Sequence, residues 1–234
     1  MEAIRFSDFE PNPKYASVAS GVELFRQEAC DAIIAVGGGT SMDVAKCIKL
    51  YSNMSTERKY LEQQIIPNDV KLFAVPTTAG TGSETTRFAV IYDQGEKQSV
   101  TDDSLIPTMV LMDNSVLDKL PIYQKKTAML DALCHAVESY WSVNSTDESK
   151  EYSKRAIRLI LDNMDEYLNE RNMGIKEGIC EVAVAGTEAV ADEKAVIGME
   201  SAVHAKSVAD FGEMVNIKAP GSLEKVVRAD AGKS

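Results

Sequence analysis

The chain has 234 residues, 44% of them apolar, a formal net charge of −11 and a sequence pI of 4.8. That is enough for one or two globular domains, while the acidity and the lack of any basic cluster interleaved with aromatics exclude nucleic acid as a partner. No apolar run is long enough to span a membrane or act as a secretory leader, and Cys30, Cys47, Cys134 and Cys180 show no CxxC spacing, so the expectation is a cytoplasmic chain with free thiols.

In chain order, residues 15–28 read as helix, 32–36 as a buried strand, 41–50 as helix and 72–75 as a second strand. Residues 87–92 and 97–99 form an expected hairpin around Asp93-Gln94-Gly95, and 109–112 another buried strand. Helical periodicity then covers 123–140 and 149–168, with Asp147-Glu148-Ser149-Lys150-Glu151 as a solvated helix start, so a domain boundary is expected near residues 114–121. Alternating strands and helices argue an α/β fold.

Three segments carry chemistry. The apolar run Ala32-Ile33-Ile34-Ala35-Val36 leads into Gly37-Gly38-Gly39-Thr40-Ser41-Met42-Asp43-Val44-Ala45-Lys46, which has the order of a phosphate-binding turn. Glycines let backbone approach a ligand without Cβ interference, and N–H groups at the start of the next helix point at whatever lies above them. The pattern is not GxGxxG, and a ligand-free strand-to-helix turn is the plain alternative. The second segment, Pro76-Thr77-Thr78-Ala79-Gly80-Thr81-Gly82-Ser83-Glu84, again follows an apolar run. Thr77, Thr78, Thr81 and Ser83 offer hydroxyls to phosphate or ribose oxygens; Ser83 is also readable as a helix N-cap. Both turns are expected at the carboxyl ends of parallel strands, where open α/β sheets bind ligands. In the third segment Asp131 and His135 stand four apart in a helical stretch, so both lie on one face. They are either an ion pair or two ligands of one divalent cation, and catalytic metal sites need at least three protein ligands. Cys134 is read as packing.

GGGTSMDVAK, PTTAGTGSE and DALCHAVESY, in this order and spacing, resemble the iron-dependent alcohol dehydrogenases, a superfamily that includes glycerol dehydrogenase and dehydroquinate synthase relatives. Pro11-Asn12-Pro13 resembles the segment that precedes the GGG strand there. Residues 85–144 are most similar to the branch reducing phosphonoacetaldehyde. The resemblance implies a partial Rossmann-like dinucleotide-binding domain (residues 1–117), the start of an all-helical metal and substrate domain (118–174) and an unmatched tail (175–234), helical or weakly ordered. It implies NAD(P)H and a divalent metal, Fe²⁺ or Zn²⁺, as cofactors. Gly37, Gly38, Gly39 and Ser41 would hold the pyrophosphate, with Asp43 near the nicotinamide ribose and Thr77, Thr78, Thr81 and Ser83 along the cofactor cleft. Asp131 and His135 correspond to the first two metal ligands. The metal would polarise a carbonyl during hydride attack, so no side chain is assigned as catalytic.

The implied activity is reduction of an aldehyde to an alcohol by a small-molecule enzyme, with homo-oligomerisation open. Against a complete family member the motif resemblance covers residues 6–174, so truncation at both ends is expected, along with loss of the position that helps separate NAD from NADP. His204 is the one further histidine, a third ligand or an incidental helix residue. A four-ligand site is not available within one chain, and a dinucleotide-binding remnant without turnover is the second reading. A lyase of dehydroquinate synthase type is the third, disfavoured by PTTAGTGSE. After Gly174 the only aromatic is Phe211, and residues 223–227 are expected to form one short helix.

Overall fold

A computed structural model of the protein describes residues 2–169 and 225–230. Its centre is a five-stranded sheet in the order β1-β7-β2-β3-β6, built from Glu2–Phe6, Lys225–Asp230, Ala32–Gly37, Lys71–Pro76 and Met109–Val110. Every pairing is parallel. Between β2 and β3 the register runs from Ala32↔Lys71 to Gly37↔Pro76, so both strands end level and release their turns at the same edge.

Two helices cover the sheet. In α1, Tyr15–Gln27, the residues Val18, Gly21, Val22 and Phe25 are buried at helical spacing. The helix α2, Gly39–Tyr51, is enclosed on nearly every side, including Lys46 and Lys49. The two approach closely at Gly21, where a methyl would lie 2.5 Å from the Ile48 Cδ1 and 2.9 Å from the Phe6 ring. Arg26 secures the far end of α2: its Nε donates to the Ser52 carbonyl at 2.7 Å and its Nη2 to that of Tyr51 at 2.8 Å, a cation on the carbonyls at a helix carboxyl end. The hairpin β4–β5, Phe88–Asp93 and Glu96–Thr101, closes through Gln94 and Gly95, both at positive φ (53° and 87°), the backbone of a type I′ turn.

After a 3₁₀ segment at Asn114–Lys119 the chain becomes helical, with α3 at Ile122–Trp141 and α4 at Asp147–Leu168. Thr146 and Ser149 form a reciprocal capping box at the start of α4. These helices share a second apolar cluster, comprising Met129, Ala132, Ala136, Ala156, Ile160 and Tyr167 with Leu117 and Ala79. Ala79 brings the second Gly-rich turn into this cluster.

Two expectations change. The strand β1 carries no strong alternation and was not anticipated. Residues 225–227, expected in a short helix, belong to β7. A five-residue helix gains little from its own hydrogen bonds, whereas Lys-Val-Val-Arg-Ala-Asp offers β-branched residues and pairs its backbone on both sides, with β1 and with β2. Among the described residues no helix is long and apolar enough to cross a membrane.

Candidate dinucleotide and metal site

The first turn forms as β2 ends. Gly37 takes φ 151°, Gly38 is extended at the N-cap position, and α2 begins at Gly39, two residues before the expected start. Gly38 has no side chain to cap the helix, and its carbonyl accepts from the Met42 N–H at 3.2 Å. The earlier first-turn N–H groups lack intrahelical partners, as at any helix start. Gly38, Gly39 and Thr40 are half-buried, so an anion can reach them. The Ser41 Oγ is enclosed and has no hydrogen-bond partner, an unsatisfied polar atom at the turn.

The second turn locks onto the first. The Thr77 N–H donates to the Gly37 carbonyl at 2.9 Å. A methyl added at Gly38 would lie 3.0 Å from the Thr78 Oγ1, and one at Gly39 3.1 Å from the Thr81 Cγ2. The glycines are thus the surface on which the threonines rest. Thr77, Thr78 and Thr81 are half-buried at the opening. The N-cap expectation for Ser83 fails, because residues 83–85 form a turn closed by Thr85 N–H on the Gly82 carbonyl at 3.0 Å and no helix follows. The Ser83 hydroxyl instead donates to the Asp43 Oδ1 at 2.8 Å.

Under the turns lies a charged cluster that joins Asp43 and Ser83, both expected at the cofactor, to Lys46 and Glu84, to which the motifs assign no role. Lys46 is fully buried. Its Nζ donates to the carbonyls of Thr86 and Phe88, each at 2.7 Å, to the Thr86 Oγ1 at 3.1 Å and to the Ser83 Oγ at 3.4 Å. Burial pulls the Lys46 ammonium down to about 8, opposed by Asp43 and Glu84. Burial also lifts the Asp43 carboxyl to about 6, opposed by Lys46 and the Ser83 hydrogen bond. Glu84 is buried and its carboxyl is likewise raised by desolvation. One sequence signal was available: Asp43 and Lys46 are three apart on a helix, hence neighbours. The partners on the second turn lie about forty residues away and had no local signature.

The turns also meet α3. A methyl at Gly80 would lie 2.8 Å from the Ala128 carbonyl carbon and 2.9 Å from its Cα, so only glycine admits this approach. One turn further along α3, the Asp131 Oδ1 and His135 Nε2 are 3.8 Å apart and partly exposed. An oxygen and an imidazole nitrogen suit Fe²⁺ or Zn²⁺, and the pair fits as two ligands of such a site. Among the described residues no group of three or more potential ligands occurs, and His204 lies outside them. Cys134, read as packing, is exposed: the buried α3 positions Ala132 and Ala136 flank it in sequence and occupy the inward face.

Residues 1–114 match the family model for iron-containing alcohol dehydrogenase, and residues 125–206 that for the C-terminal part of the Fe-containing alcohol dehydrogenase family. The second match runs past residue 174, where the motif resemblance ends, and takes in His204. The NAD-dependent methanol dehydrogenase of Bacillus methanolicus is 36% identical over 176 residues, which cover 72% of this chain and 44% of that protein. Among solved structures, sulfoacetaldehyde reductase from Bifidobacterium kashiwanohense in complex with NAD+ superposes with a TM-score of 0.74 at 27% identity, covering 79% of this chain and 50% of that one. NADH-dependent butanol dehydrogenase A from Thermotoga maritima gives 0.70 at 29% identity, covering 85% and 50%. The chain therefore spans about half the length of these relatives.

Proposed function

From the premise that the chain belongs to the iron-containing alcohol dehydrogenase family, we propose that it binds NAD(P)H across its two interlocked turns and serves metal-dependent reduction of an aldehyde to an alcohol. The observation that carries this reading is the interlock itself: Gly38 and Gly39 receive Thr78 and Thr81, leaving half-buried N–H groups and hydroxyls at one opening on the sheet's carboxyl edge. Gly37, Gly38, Gly39 and Ser41 hold the pyrophosphate in this account, and rotation of the orphaned Ser41 hydroxyl toward the opening gives it a phosphate oxygen as acceptor. Thr77, Thr78, Thr81 and Ser83 line the rest of the cofactor cleft. Asp43 lies by the nicotinamide ribose, oriented by Ser83.

Asp131 and His135 supply two ligands to Fe²⁺ or Zn²⁺, with His204 as the proposed third. A bound metal contributes Lewis-acid polarisation of the substrate carbonyl. The chain's own part is positional: Gly80 against Ala128 holds the cofactor turn against the helix that carries the metal ligands. Residues 1–117 form the dinucleotide domain and 118–174 begin the helical one in this reading. Within the substrate class, an aldehyde with an anionic head group such as phosphonoacetaldehyde is proposed, in keeping with the similarity of residues 85–144 and with a sulfoacetaldehyde reductase among the structural neighbours.

The test is anaerobic oxidation of NADH and NADPH with Fe²⁺ or Zn²⁺ and aldehydes ranging from unsubstituted short chains to phosphonoacetaldehyde. Turnover requiring both metal and aldehyde is expected. Dinucleotide binding without turnover would leave a binding protein, the reading favoured by the two-ligand set among the described residues, and no binding would refute both.

A further inference from the structure

We infer that Lys46 is a positioning residue for the dinucleotide: acting with Ser83, it keeps the Asp43 carboxylate charged and in place at the cleft. This rests on the dinucleotide reading of the turns. Asp43 and Lys46 are three apart on α2, so both side chains leave the same face of the helix that begins at the Gly-rich turn. That face meets the outer edge of β4. The Asp102 N–H donates to the Arg87 carbonyl at 3.1 Å across the hairpin, so the backbone groups of Arg87 face β5, and those of Phe88 and Val90, at alternate positions, include ones that face away from it. Among the described residues the outer edge is met by backbone at one place, the Lys14↔Tyr92 bridge, where the Tyr92 N–H donates to the Pro13 carbonyl at 2.8 Å. Side chains of α2 take the place of a neighbouring strand along the rest. The Lys46 Nζ donates to the Thr86 and Phe88 carbonyls, each at 2.7 Å, and Asp43 accepts from the Val90 N–H. The same ammonium reaches the Ser83 Oγ at 3.4 Å, and that hydroxyl donates to the Asp43 Oδ1 at 2.8 Å.

Asp43 is therefore gripped from its own helix, from the second turn and from the hairpin. The cations facing it are Lys46 on α2 and, with a smaller effect, Lys97 on β5. Cys47, beside it on α2, stays a neutral thiol because burial pushes it up, and Glu84 on the second turn acts on Lys46. Burial works against the Asp43 charge, and Lys46 is the largest influence opposing it. Charge matters at this position because a carboxylate accepts a hydroxyl's hydrogen bond roughly twice as strongly as a neutral group does. Lys46 itself is fully buried and its bonds go to Thr86, Phe88 and Ser83, so its influence on a bound dinucleotide passes through Asp43.

The experiment is calorimetric titration of NAD⁺ into the full chain from about pH 5 to pH 8, for the wild type, Lys46→Met, Ser83→Ala and Asp43→Asn, with circular dichroism of each to establish its fold. Wild-type affinity should fall roughly threefold or more toward acid, with a midpoint near the Asp43 value of about 6. Lys46→Met should raise that midpoint by about one pH unit or more and Ser83→Ala by a smaller amount, while Asp43→Asn should bind without pH dependence in this window. A lysine that only stabilises the fold would lower the melting temperature and leave the midpoint in place. If Lys46→Met does not fold, Ser83→Ala decides: it removes the hydroxyl shared by Lys46 and Asp43, and a raised midpoint supports the inference while an unmoved one overturns it. A flat wild-type profile, a midpoint that Lys46→Met leaves unmoved, loss of its binding at every pH, or pH dependence that persists in Asp43→Asn overturns the inference and leaves the dinucleotide site standing. No binding of NAD⁺ by the wild type at any pH overturns both.

Discussion

Replacing Lys46 with Met keeps the length and apolar stem of the side chain and removes only the ammonium. The change strips donors from the Thr86 and Phe88 carbonyls, the Thr86 hydroxyl and Ser83, and leaves Asp43 without its cation. Each carbonyl left unsatisfied costs roughly 1–3 kcal/mol. Burying the ammonium has its own cost: a fall from 10.5 to about 8 corresponds to about 3 kcal/mol, which the Met variant is spared. Removing one partner of a buried, fully bonded charge normally costs about 3–5 kcal/mol net. A chain of this length should then melt roughly 6–20 °C lower. The pH dependence supplies an independent sign. Because the native ammonium titrates below its unfolded value, the unfolded chain holds the extra proton between about pH 8 and 10.5, and wild-type stability rises with pH across that window. The gap between wild type and Lys46→Met should therefore widen by about 3 kcal/mol from pH 7.5 to 10.5. Thermal melts of both proteins at several pH values measure it, and their difference cancels the titrating groups other than Asp43 and Glu84, whose carboxyls Lys46 holds down. A Met variant melting with the wild type, or a gap that narrows as pH rises, would refute the buried-ammonium account.

Other consequences are as direct. Ala29 follows α1 at φ 48°, so Ala29→Gly should relieve left-handed strain and stabilise by roughly 0.5–1 kcal/mol after allowing for the freer unfolded chain, and a lower melting temperature would contradict that backbone assignment. Gly80→Ala should force the second turn away from Ala128, lowering the melting temperature and weakening dinucleotide binding together; unchanged binding would mean that the contact with α3 does not shape the cleft. Asp131→Ala and His135→Ala should each reduce bound Fe²⁺ or Zn²⁺, measured by elemental analysis after equilibrium dialysis, with little loss of stability because both side chains are partly exposed. Equal metal content in wild type and variants would reduce the pair to a surface ion pair.

What was legible in the sequence was local. The runs at 32–36 and 72–75, each followed by glycines, announced two parallel strands with turns at one edge, and the 3.6-residue period of 123–140 and 149–168 announced α3 and α4. The register that sets Thr78 on Gly38 and Thr81 on Gly39 was not legible, because it depends on β2 and β3 ending level. Nor was the Lys46 cluster, whose acceptors are carbonyls and hydroxyls about forty residues downstream and carry no identity a motif can record. The strand β7 was missed for a related reason: six residues of modest apolarity gain strand character from two neighbours located near the other end of the chain.

The central claim, that the interlocked turns hold a dinucleotide, is tested most directly by melting the full chain with and without NADH, beside a Gly38→Val variant in which the side chain meets Thr78. Cofactor at about a hundred times its dissociation constant should add roughly 2.7 kcal/mol to wild-type stability, a rise of roughly 5–11 °C, and should leave Gly38→Val unmoved. A wild-type transition indifferent to NADH, or a Gly38→Val variant shifted by as much as the wild type, would contradict the account.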